Sequence, residues 1–162
     1  MVEELPVTFE ILSDKNLAAL KLLCNVIFPV KYQDDIYKQC MTFEDLTQLA
    51  YNDSTLVGAI GARLENTPGG GPRMYIAILG VLAPYRGSRI GSRLLQHCLD
   101  AVAEYDEVEE AYLHVHSANE EAVEFYRRFG FEVRETVENY YRRLDPPHAV
   151  VLAKRLVAPQ PS

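Results

Sequence analysis

Three arginines and two glycines lie close together in the stretch RGSRIGSR, from Arg86 to Arg93. An apolar, β-branched segment precedes this stretch and ends at Pro84, and an amphipathic segment with helical spacing follows it. The first N–H groups of a helix are unpaired and carry partial positive charge, so a turn that leads from a strand into a helix attracts anions. Arginine adds forked donors with a permanent charge. The stretch therefore predicts a binding site for a phosphate-bearing ligand.

The spacing within this turn excludes two common phosphate-binding motifs. The turn contains no GxxxxGK sequence, and Gly87 and Gly91 do not form GxGxxG. It resembles instead the pyrophosphate loop R/Q-x-x-G-x-G/A of the GNAT acyltransferases, which implies acetyl-CoA as the ligand. Arg86 and Gly91 fit that pattern, whereas Arg89 takes the place of its first glycine. The loop alone leaves open an ordinary strand-to-helix connection with solvated arginines.

A tyrosine and a histidine on two predicted strands could perform acid–base chemistry. Side chains alternate along a strand, so Tyr112, His114 and His116 in AYLHVH point to the same face. On the preceding strand Tyr75 and Ala77 share a face. A tyrosine and a histidine on neighbouring strands could hold one water or one amine between them. Spacing alone does not single out His114, and for His116 a hydrogen-bonded or surface role is the expected alternative.

Periodicity and turn residues predict the elements that position these side chains. The predicted order is a strand, two helices, a β-hairpin, the strand that carries Tyr75, a helix, a strand, a helix and two strands. We expect Ser13 and Asp14 to cap the first helix, Pro29 to end it and Gly130 to close the last one. The order indicates an α/β fold whose single sheet is covered by helices. It matches the GNAT fold, with a mixed, mostly antiparallel central sheet.

Composition and charge limit the class of protein. A chain of 162 residues, 48% apolar and 24% charged, predicts one soluble domain. The net charge of −7 argues against a general nucleic-acid surface, although a local basic pocket remains possible. No apolar run approaches the length of about 18 residues expected of a membrane span. The three cysteines lack CxxC spacing, so we expect reduced core residues, with neither a disulfide framework nor a zinc site.

Four separated motifs carry a closer resemblance. FPVKY, RMYIAILGVLAPYR, YLHVHSANEEAVEFYRRFGF and ENYYRRL occur in this order, and together they resemble the catalytic subunit of the NatE type of N-terminal acetyltransferase, the San family. The resemblance extends from about residue 17 to residue 156. It implies an enzyme that moves acetyl from acetyl-CoA to the α-amine of peptides that begin with methionine and an apolar residue. The domain is expected to span residues 1–157, followed by a flexible tail over 158–162.

The resemblance also implies roles for the residues that match the family's motifs. Tyr75 and His114 would form the catalytic pair, without a metal. The cofactor would be contacted by the central strand, the loop after it and the N-x-x-A-x-x-F-Y motif: Ile78, Leu79, Gly80, Val81, Arg86, Gly87, Ser88, Arg89, Ile90, Gly91, Asn119 and Tyr126. The peptide would be contacted by the FPVKY turn, the central strand and the tandem tyrosines: Phe28, Pro29, Val30, Tyr32, Ala77, Tyr140 and Tyr141. Each of these motifs taken alone is more often a packing feature.

The proposed reaction needs only a mild base. About a tenth of a peptide α-amine is neutral at pH 7, because its pKa is about 7.7–8.0. We expect His114 to act as the base through an ordered water that Tyr75 positions. A backbone N–H near Leu79 would face the oxyanion. Direct attack in a ternary complex is favoured over a covalent route through Cys98, which has no adjacent base in the sequence pattern.

Two positions depart from the family's pattern. At Arg89 a side chain replaces a glycine that permits φ > 0, which costs on the order of 1 kcal/mol or more. Either the Arg89 guanidinium compensates by binding phosphate, or Gly87 takes the strained conformation instead. Ala77 stands where relatives carry a methionine, so the peptide pocket would be wider.

Two alternative functions and the partners complete the predictions. The alternatives are an acetyltransferase that acts on lysine side chains or small amines, and a weakly active structural subunit of a ribosome-associated NatA complex. The partners implied by the resemblance are the N-terminal peptides of nascent or mature proteins, the NatA subunits and the ribosome, without contacts to nucleic acid or membrane. The implied location is the cytoplasm, with the nucleus as a second compartment.

Overall fold

The computed structural model describes residues 5–156 and gives the element order that the sequence predicts. The predicted tail at 158–162 lies outside the described residues. The elements are β1 (Thr8–Glu10), α1 (Leu17–Ile27), α2 (Asp34–Thr42), β2 (Gln48–Asn52), β3 (Thr55–Glu65), β4 (Arg73–Val81), α3 (Ile90–Val102), β5 (Glu110–His116), α4 (Glu120–Arg128), β6 (Glu132–Val137) and β7 (Ala149–Arg155). None of the helices described in this range is long and apolar enough to cross a membrane.

The strands form a seven-stranded sheet with the order β1-β2-β3-β4-β5-β7-β6. The pairs β1–β2, β2–β3, β5–β7 and β6–β7 are antiparallel, and β4 runs parallel to β5. The sheet is therefore mixed and mostly antiparallel, as predicted. The parallel register places Tyr75 beside Tyr112, and the antiparallel register of β5 with β7 places His114 opposite Val151.

The described chain groups into two compact units. The first unit contains the residues up to Leu64 together with Ile76–Tyr105, and the second contains Glu65–Tyr75 and the residues from Asp106 onward. Strand β4 contributes its first three residues to the second unit and its remaining residues to the first.

The first unit has an apolar core between its helices and strands. Its buried members are Leu12, Leu20, Leu23, Cys24, Tyr37, Cys40, Leu49, Ala59 and Ile78. Burial of each large apolar side chain contributes about 1.5–3 kcal/mol before the cost of ordering is subtracted. All three cysteines are buried and unbonded, as the sequence predicts.

The first helix begins later than predicted. Its N-cap is Asn16, not Ser13 or Asp14. Ser13 instead closes the preceding turn: its carbonyl accepts from the N–H of Leu17 at 3.0 Å, and its own N–H donates to the Asn16 side chain at 2.8 Å. The helix ends at Ile27, two residues before Pro29, as predicted.

The second unit contains α4 and the strands β5, β7 and β6. Asn119 caps α4, and the helix carries acidic residues in its first turn and two arginines in its last, which matches the helix dipole. Gly130 ends it with φ 91°, in the left-handed conformation expected of a C-terminal glycine. Residues 138–148 form the loop that joins β6 to β7.

Candidate active site

In the first unit, the loop from β4 to α3 contains two left-handed residues. Gly87 has φ 84° and Arg89 has φ 66°. A Cβ at Gly87 would meet nothing within 4 Å, so backbone conformation rather than space favours glycine there. Arg89 is the N-cap of α3, and its side chain makes no capping hydrogen bond. Gly87 therefore does not relieve Arg89 of the strained conformation, because both residues adopt it.

Three side chains in and beside this loop have contacts within the first unit. The Arg86 Nε donates to the Val81 carbonyl at 3.0 Å, and the buried Ser88 hydroxyl donates to the carbonyl of Tyr85. The Arg93 guanidinium lies 4.8 Å from the centre of the Phe9 ring. The loop therefore offers an incoming anion the exposed guanidinium of Arg89 and its backbone N–H groups, since the first N–H groups of a helix have no partner within that helix.

One of the loop's predicted ligand contacts, Ile90, is accounted for by packing. Ile90 is buried at the start of α3, and Gly91 follows it within the first turn of that helix. Arg89 remains exposed. Contacts from this stretch to a cofactor stay predictions.

The FPVKY turn lies against β4 because residue 80 is glycine. A Cβ at Gly80 would stand 2.8 Å from Phe28 Cζ and 2.9 Å from Ile27 Cγ2, which is closer than atoms can approach. The ring of Phe28 meets that of Tyr32 edge-on at 5.4 Å. Both rings and Ala77 are partly buried and pack on the core of the first unit.

The remaining members of the two predicted sets in this unit differ in how far they are buried. Val30 is half-buried and Pro29 is exposed. On β4, Ile78 is buried, whereas Leu79, Gly80 and Val81 are half-buried.

In the second unit, the predicted catalytic pair is in direct contact. The hydroxyl of Tyr75 and the Nδ1 of His114 are 3.0 Å apart, within hydrogen-bond distance. The sequence allowed that the two side chains could hold a water or an amine between them. In the structure the register of β4 with β5 brings these atoms into direct contact instead. A water or amine would have to bind beside the pair.

Burial and nearby charges set the proton affinity of His114. Burial lowers the pKa of His114 below its ordinary value of 6.5 and is the largest influence; Glu135 and Glu65 raise the pKa and Arg73 lowers it. The imidazole is therefore neutral at pH 7, and a neutral imidazole can accept a proton.

Three residues beside the pair were missed by the sequence reasoning. The hydroxyl of Tyr112 donates to the carboxylate of Glu65, and the Arg73 Nε donates to the same carboxylate at 2.7 Å. The Arg73 guanidinium also lies 4.1 Å from the centre of the Tyr112 ring, and that ring lies 4.8 Å from Tyr75. The available signal was alternation, since Arg73 is two residues before Tyr75 and Tyr112 is two before His114.

The tandem tyrosines contact histidines of β5. The Tyr140 ring stacks on His114 with a centroid distance of 4.2 Å and an angle of 9° between planes. The Tyr141 ring meets Tyr140 edge-on at 4.9 Å and His116 at 5.8 Å. Burial raises the pKa of Tyr141 to about 12, with a smaller contribution from Tyr140. Tyr140 therefore joins the aromatic cluster around His114.

Asn119 and Tyr126, the two predicted cofactor contacts on α4, have structural roles. The Asn119 Oδ1 accepts from the N–H of Ala122 at 3.1 Å and caps the helix. Tyr126 is 6% exposed and packs against Phe125 and Phe131. A cofactor contact from either residue stays a prediction.

The described residues support neither metal-ion chemistry nor a covalent route through Cys98. No group of three or more His, Cys, Asp or Glu side chains in residues 5–156 could hold a metal ion. Cys98 is fully buried in α3, and burial raises its pKa to about 12, so it is a thiol at neutral pH.

Comparison with known proteins finds relatives along most of the chain. The acetyltransferase (GNAT) family model matches residues 11–131. N-alpha-acetyltransferase 50 of Danio rerio is 43% identical over 144 residues, which cover 89% of this chain and 85% of that protein. The probable N-acetyltransferase san of Drosophila melanogaster is 40% identical over 141 residues, covering 87% and 76% of the two chains.

A solved structure of similar sequence has the same fold. Arabidopsis thaliana Naa50, in complex with the bisubstrate analogue CoA-Ac-MVNAL, superposes with a TM-score of 0.85. The two chains are 46% identical, and the match covers 91% of this chain and 97% of the other.

Proposed function

The chain belongs to the acetyltransferase (GNAT) family, among the N-alpha-acetyltransferases that include Naa50 and San, and on that premise we propose that it acetylates peptides beginning with methionine and an apolar residue. Membership confirms the predicted family, fold and enzyme class, with acetyl-CoA as the donor. The observation in the structure that supports acetyl transfer is the 3.0 Å contact between the hydroxyl of Tyr75 and Nδ1 of His114.

The acyl transfer proceeds by direct attack. The α-amine nitrogen forms a bond to the thioester carbonyl carbon, the C–S bond breaks, and CoA leaves as the thiolate or thiol. The proton that the amine loses passes to the Tyr75–His114 pair, through a water where one bridges. No enzyme nucleophile takes part, which agrees with the un-ionised state of Cys98.

The tautomer of His114 decides which atom receives the proton. If Nδ1 carries hydrogen and donates to the Tyr75 oxygen, the Nε2 atom is the base. If the Tyr75 hydroxyl donates to Nδ1, the hydroxyl can take a proton from the amine while it passes its own proton to His114. In the first case the tyrosine only orients the imidazole, and in neither case must it first become an anion.

Each unit contributes a separate part of the binding chemistry. The backbone N–H groups of the loop in the first unit bind the pyrophosphate of acetyl-CoA. The half-buried rings of Phe28 and Tyr32 receive the apolar side chain of the initiator methionine. In the second unit, the residues that the family resemblance proposes for peptide contact are Tyr140 and Tyr141. The peptide part of the analogue held by Arabidopsis Naa50 begins with methionine and valine, which supports this preference.

The preference is tested by CoA release from acetyl-CoA with three peptides. One peptide begins with Met-Leu, one begins with Ser-Glu, and one has a blocked N-terminus and an internal lysine. We expect turnover of the Met-Leu peptide only. Turnover mainly of the lysine peptide would show that the substrate is a lysine side chain. Equal turnover of the first two peptides would contradict the proposed pocket for methionine.

The partners, the location and the extent of the domain are further proposals that the family relationship supports. We propose that the chain acts in the cytoplasm with the NatA subunits at the ribosome, which the family resemblance supports. We propose one catalytic domain over residues 1–157, which the match of the family model over 11–131 supports. Co-purification of the tagged chain with NatA subunits and ribosomes tests the partners. Recovery of the chain without any of them would contradict that part.

A further inference from the structure

The loop 138–148 presents the tandem tyrosines, and we propose that His116 and His148, two histidines outside the reacting pair, hold this loop so that Tyr140 lies against His114. The inference rests on the proposed function, in which Tyr140 and Tyr141 contact the peptide. His116 and His148 would then be positioning residues for substrate binding. Neither touches the reacting atoms in the proposed mechanism.

His148 holds the beginning of the loop. Its Nδ1 accepts a hydrogen bond from the N–H of Asn139 at 3.2 Å. Asn139 has φ 58°, a left-handed conformation that turns the chain immediately before Tyr140. The carbonyl of His148 accepts from the N–H of Ser117 at 2.9 Å, which fixes the backbone of His148 beside the end of β5. The imidazole therefore links the anchored end of the loop to the turn that directs Tyr140.

His116 holds the other end of the loop. Its Nε2 contacts the carbonyl oxygen of Pro146, and because a carbonyl only accepts, this nitrogen must carry the hydrogen. The same ring contacts the edge of Tyr141 at 5.8 Å. The N–H of Tyr141 donates to the Pro147 carbonyl at 2.7 Å, so the two arms of the loop are joined next to this histidine.

The sheet places both histidines where the loop leaves and rejoins it. Ala149, the first residue of β7, pairs with His116 on one side and with Val137, the last residue of β6, on the other. Tyr140 is 43% exposed although it stacks almost parallel on His114. A ring this exposed gains little from burial, so the backbone of the loop must determine its position.

The test compares alanine variants with variants that keep one hydrogen-bonding atom. We expect His148→Ala and His116→Ala each to raise the KM for a Met-Leu peptide about fivefold, the change that loss of one hydrogen bond gives. The KM for acetyl-CoA should not change. His148→Asn keeps an acceptor near the position of Nδ1, and His116→Gln keeps a donor near the position of Nε2. Both should restore the wild-type KM for the peptide.

His97 on α3 supplies the matched control, since it is a histidine of the first unit. His97→Ala should leave both KM values unchanged. A variant that only unfolds part of the enzyme would lower kcat without changing either KM. Unchanged peptide KM in both alanine variants would overturn the inference, as would conservative variants as impaired as the alanine variants.

A second readout does not depend on turnover. The Tyr140 ring stacked on His114 shifts the imidazole ¹H resonances of His114, which are assigned by their loss in His114→Ala. These resonances should move in His148→Ala and His116→Ala, and stay in His97→Ala. Unchanged resonances in the first two variants would refute the positioning role. Absence of wild-type turnover with all peptides would refute the proposed function and leave this readout to judge the loop.

Discussion

The loop of the first unit and the aromatic cluster of the second, formed by Tyr75, Tyr112, His114 and Tyr140, are built in different ways. The loop depends on backbone conformation: two of its residues are left-handed, and the side chains of Arg86 and Ser88 donate to the carbonyls of Val81 and Tyr85. The cluster depends on side-chain atoms, with a hydrogen bond and stacked rings on regular strands and a loop. A substitution in the loop should therefore act through the φ angle that the new residue permits, whereas a substitution in the cluster should act through the functional group that it removes.

The largest expected effect removes a functional group from the cluster. Tyr75→Phe keeps the ring that packs on Tyr112 and deletes the hydroxyl that contacts His114. We expect kcat on a Met-Leu peptide to fall by about 10²–10⁴-fold, the usual contribution of a positioned acid–base group. His114→Ala should lower kcat to a similar extent. Steady-state CoA release measures both.

The control for this prediction is cofactor affinity. Calorimetric titration with acetyl-CoA should give the wild-type Kd for Tyr75→Phe, because the proposed phosphate contacts belong to the loop. A kcat within a few-fold of wild type for Tyr75→Phe and His114→Ala would remove the pair from the mechanism.

The next effect comes from the strand behind the FPVKY turn. Gly80→Ala would place a Cβ 2.8 Å from Phe28 Cζ, so Phe28 and Ile27 must move. We expect the free energy of unfolding to fall by about 1–3 kcal/mol, as for an overpacked core, and the peptide KM to rise as Phe28 is displaced. Urea denaturation and peptide kinetics measure these quantities.

Gly61→Ala is a matched control for this clash. Its Cβ would stand 2.6 Å from the Cys40 sulfur, so the variant should also lose stability. Since Cys40 is not part of the turn, the peptide KM should stay at the wild-type value. An equal rise in KM for both variants would show that the FPVKY turn has no special relation to the peptide.

The sequence predicted those parts of the molecule that follow from local periodicity. Alternation along two strands gave the faces of Tyr75 and His114 within their own strands, the family resemblance paired the two residues, and Gly130 closed its helix as expected. The contact of Tyr140 with His114 was not predicted, because an eleven-residue loop joins β6 to β7 and no spacing rule specifies where its side chains lie. The start of α1 was misplaced since Ser13 and Asn16 are both good caps.

The conformation of Arg89 was also beyond the sequence alone. A family pattern shows that glycine is usual at a position, but only the backbone shows whether the replacement takes the left-handed conformation or the chain moves. Here the φ of 66° shows that Arg89 takes it. The free-energy cost of this conformation can then be measured by substitution of Arg89.

Substitutions in the loop should change stability in opposite directions. Arg89→Gly removes the cost of the left-handed conformation, which is about 1–2 kcal/mol, but it also raises the conformational entropy of the unfolded chain. We therefore expect the free energy of unfolding to rise by up to about 1 kcal/mol. Gly87→Ala introduces that penalty and should lower stability by about 1 kcal/mol. Chemical denaturation measures both.

Gly69 provides the comparison that separates folding from cofactor binding. It has φ 73°, and a Cβ there would also meet nothing within 4 Å. Gly69→Ala should therefore lose as much stability as Gly87→Ala, but only Gly87→Ala should weaken acetyl-CoA binding. Wild-type acetyl-CoA affinity in Gly87→Ala would contradict the proposed pyrophosphate contact.

The smallest expected effect adjusts the cluster through charge, without touching its atoms. Glu135 lies exposed on β6 and raises the pKa of His114, so Glu135→Gln should lower that pKa further below 6.5. A ¹H NMR titration of the His114 resonances measures the change, and Glu132→Gln on the same strand is the control that should leave the pKa of His114 unaltered.

Because Glu135 is exposed, added salt should shrink the difference in the pKa of His114 between wild type and Glu135→Gln. With a lower pKa the imidazole stays neutral to lower pH, so the acid limb of the activity profile should move to lower pH in Glu135→Gln; a move to higher pH would show that another group controls that limb.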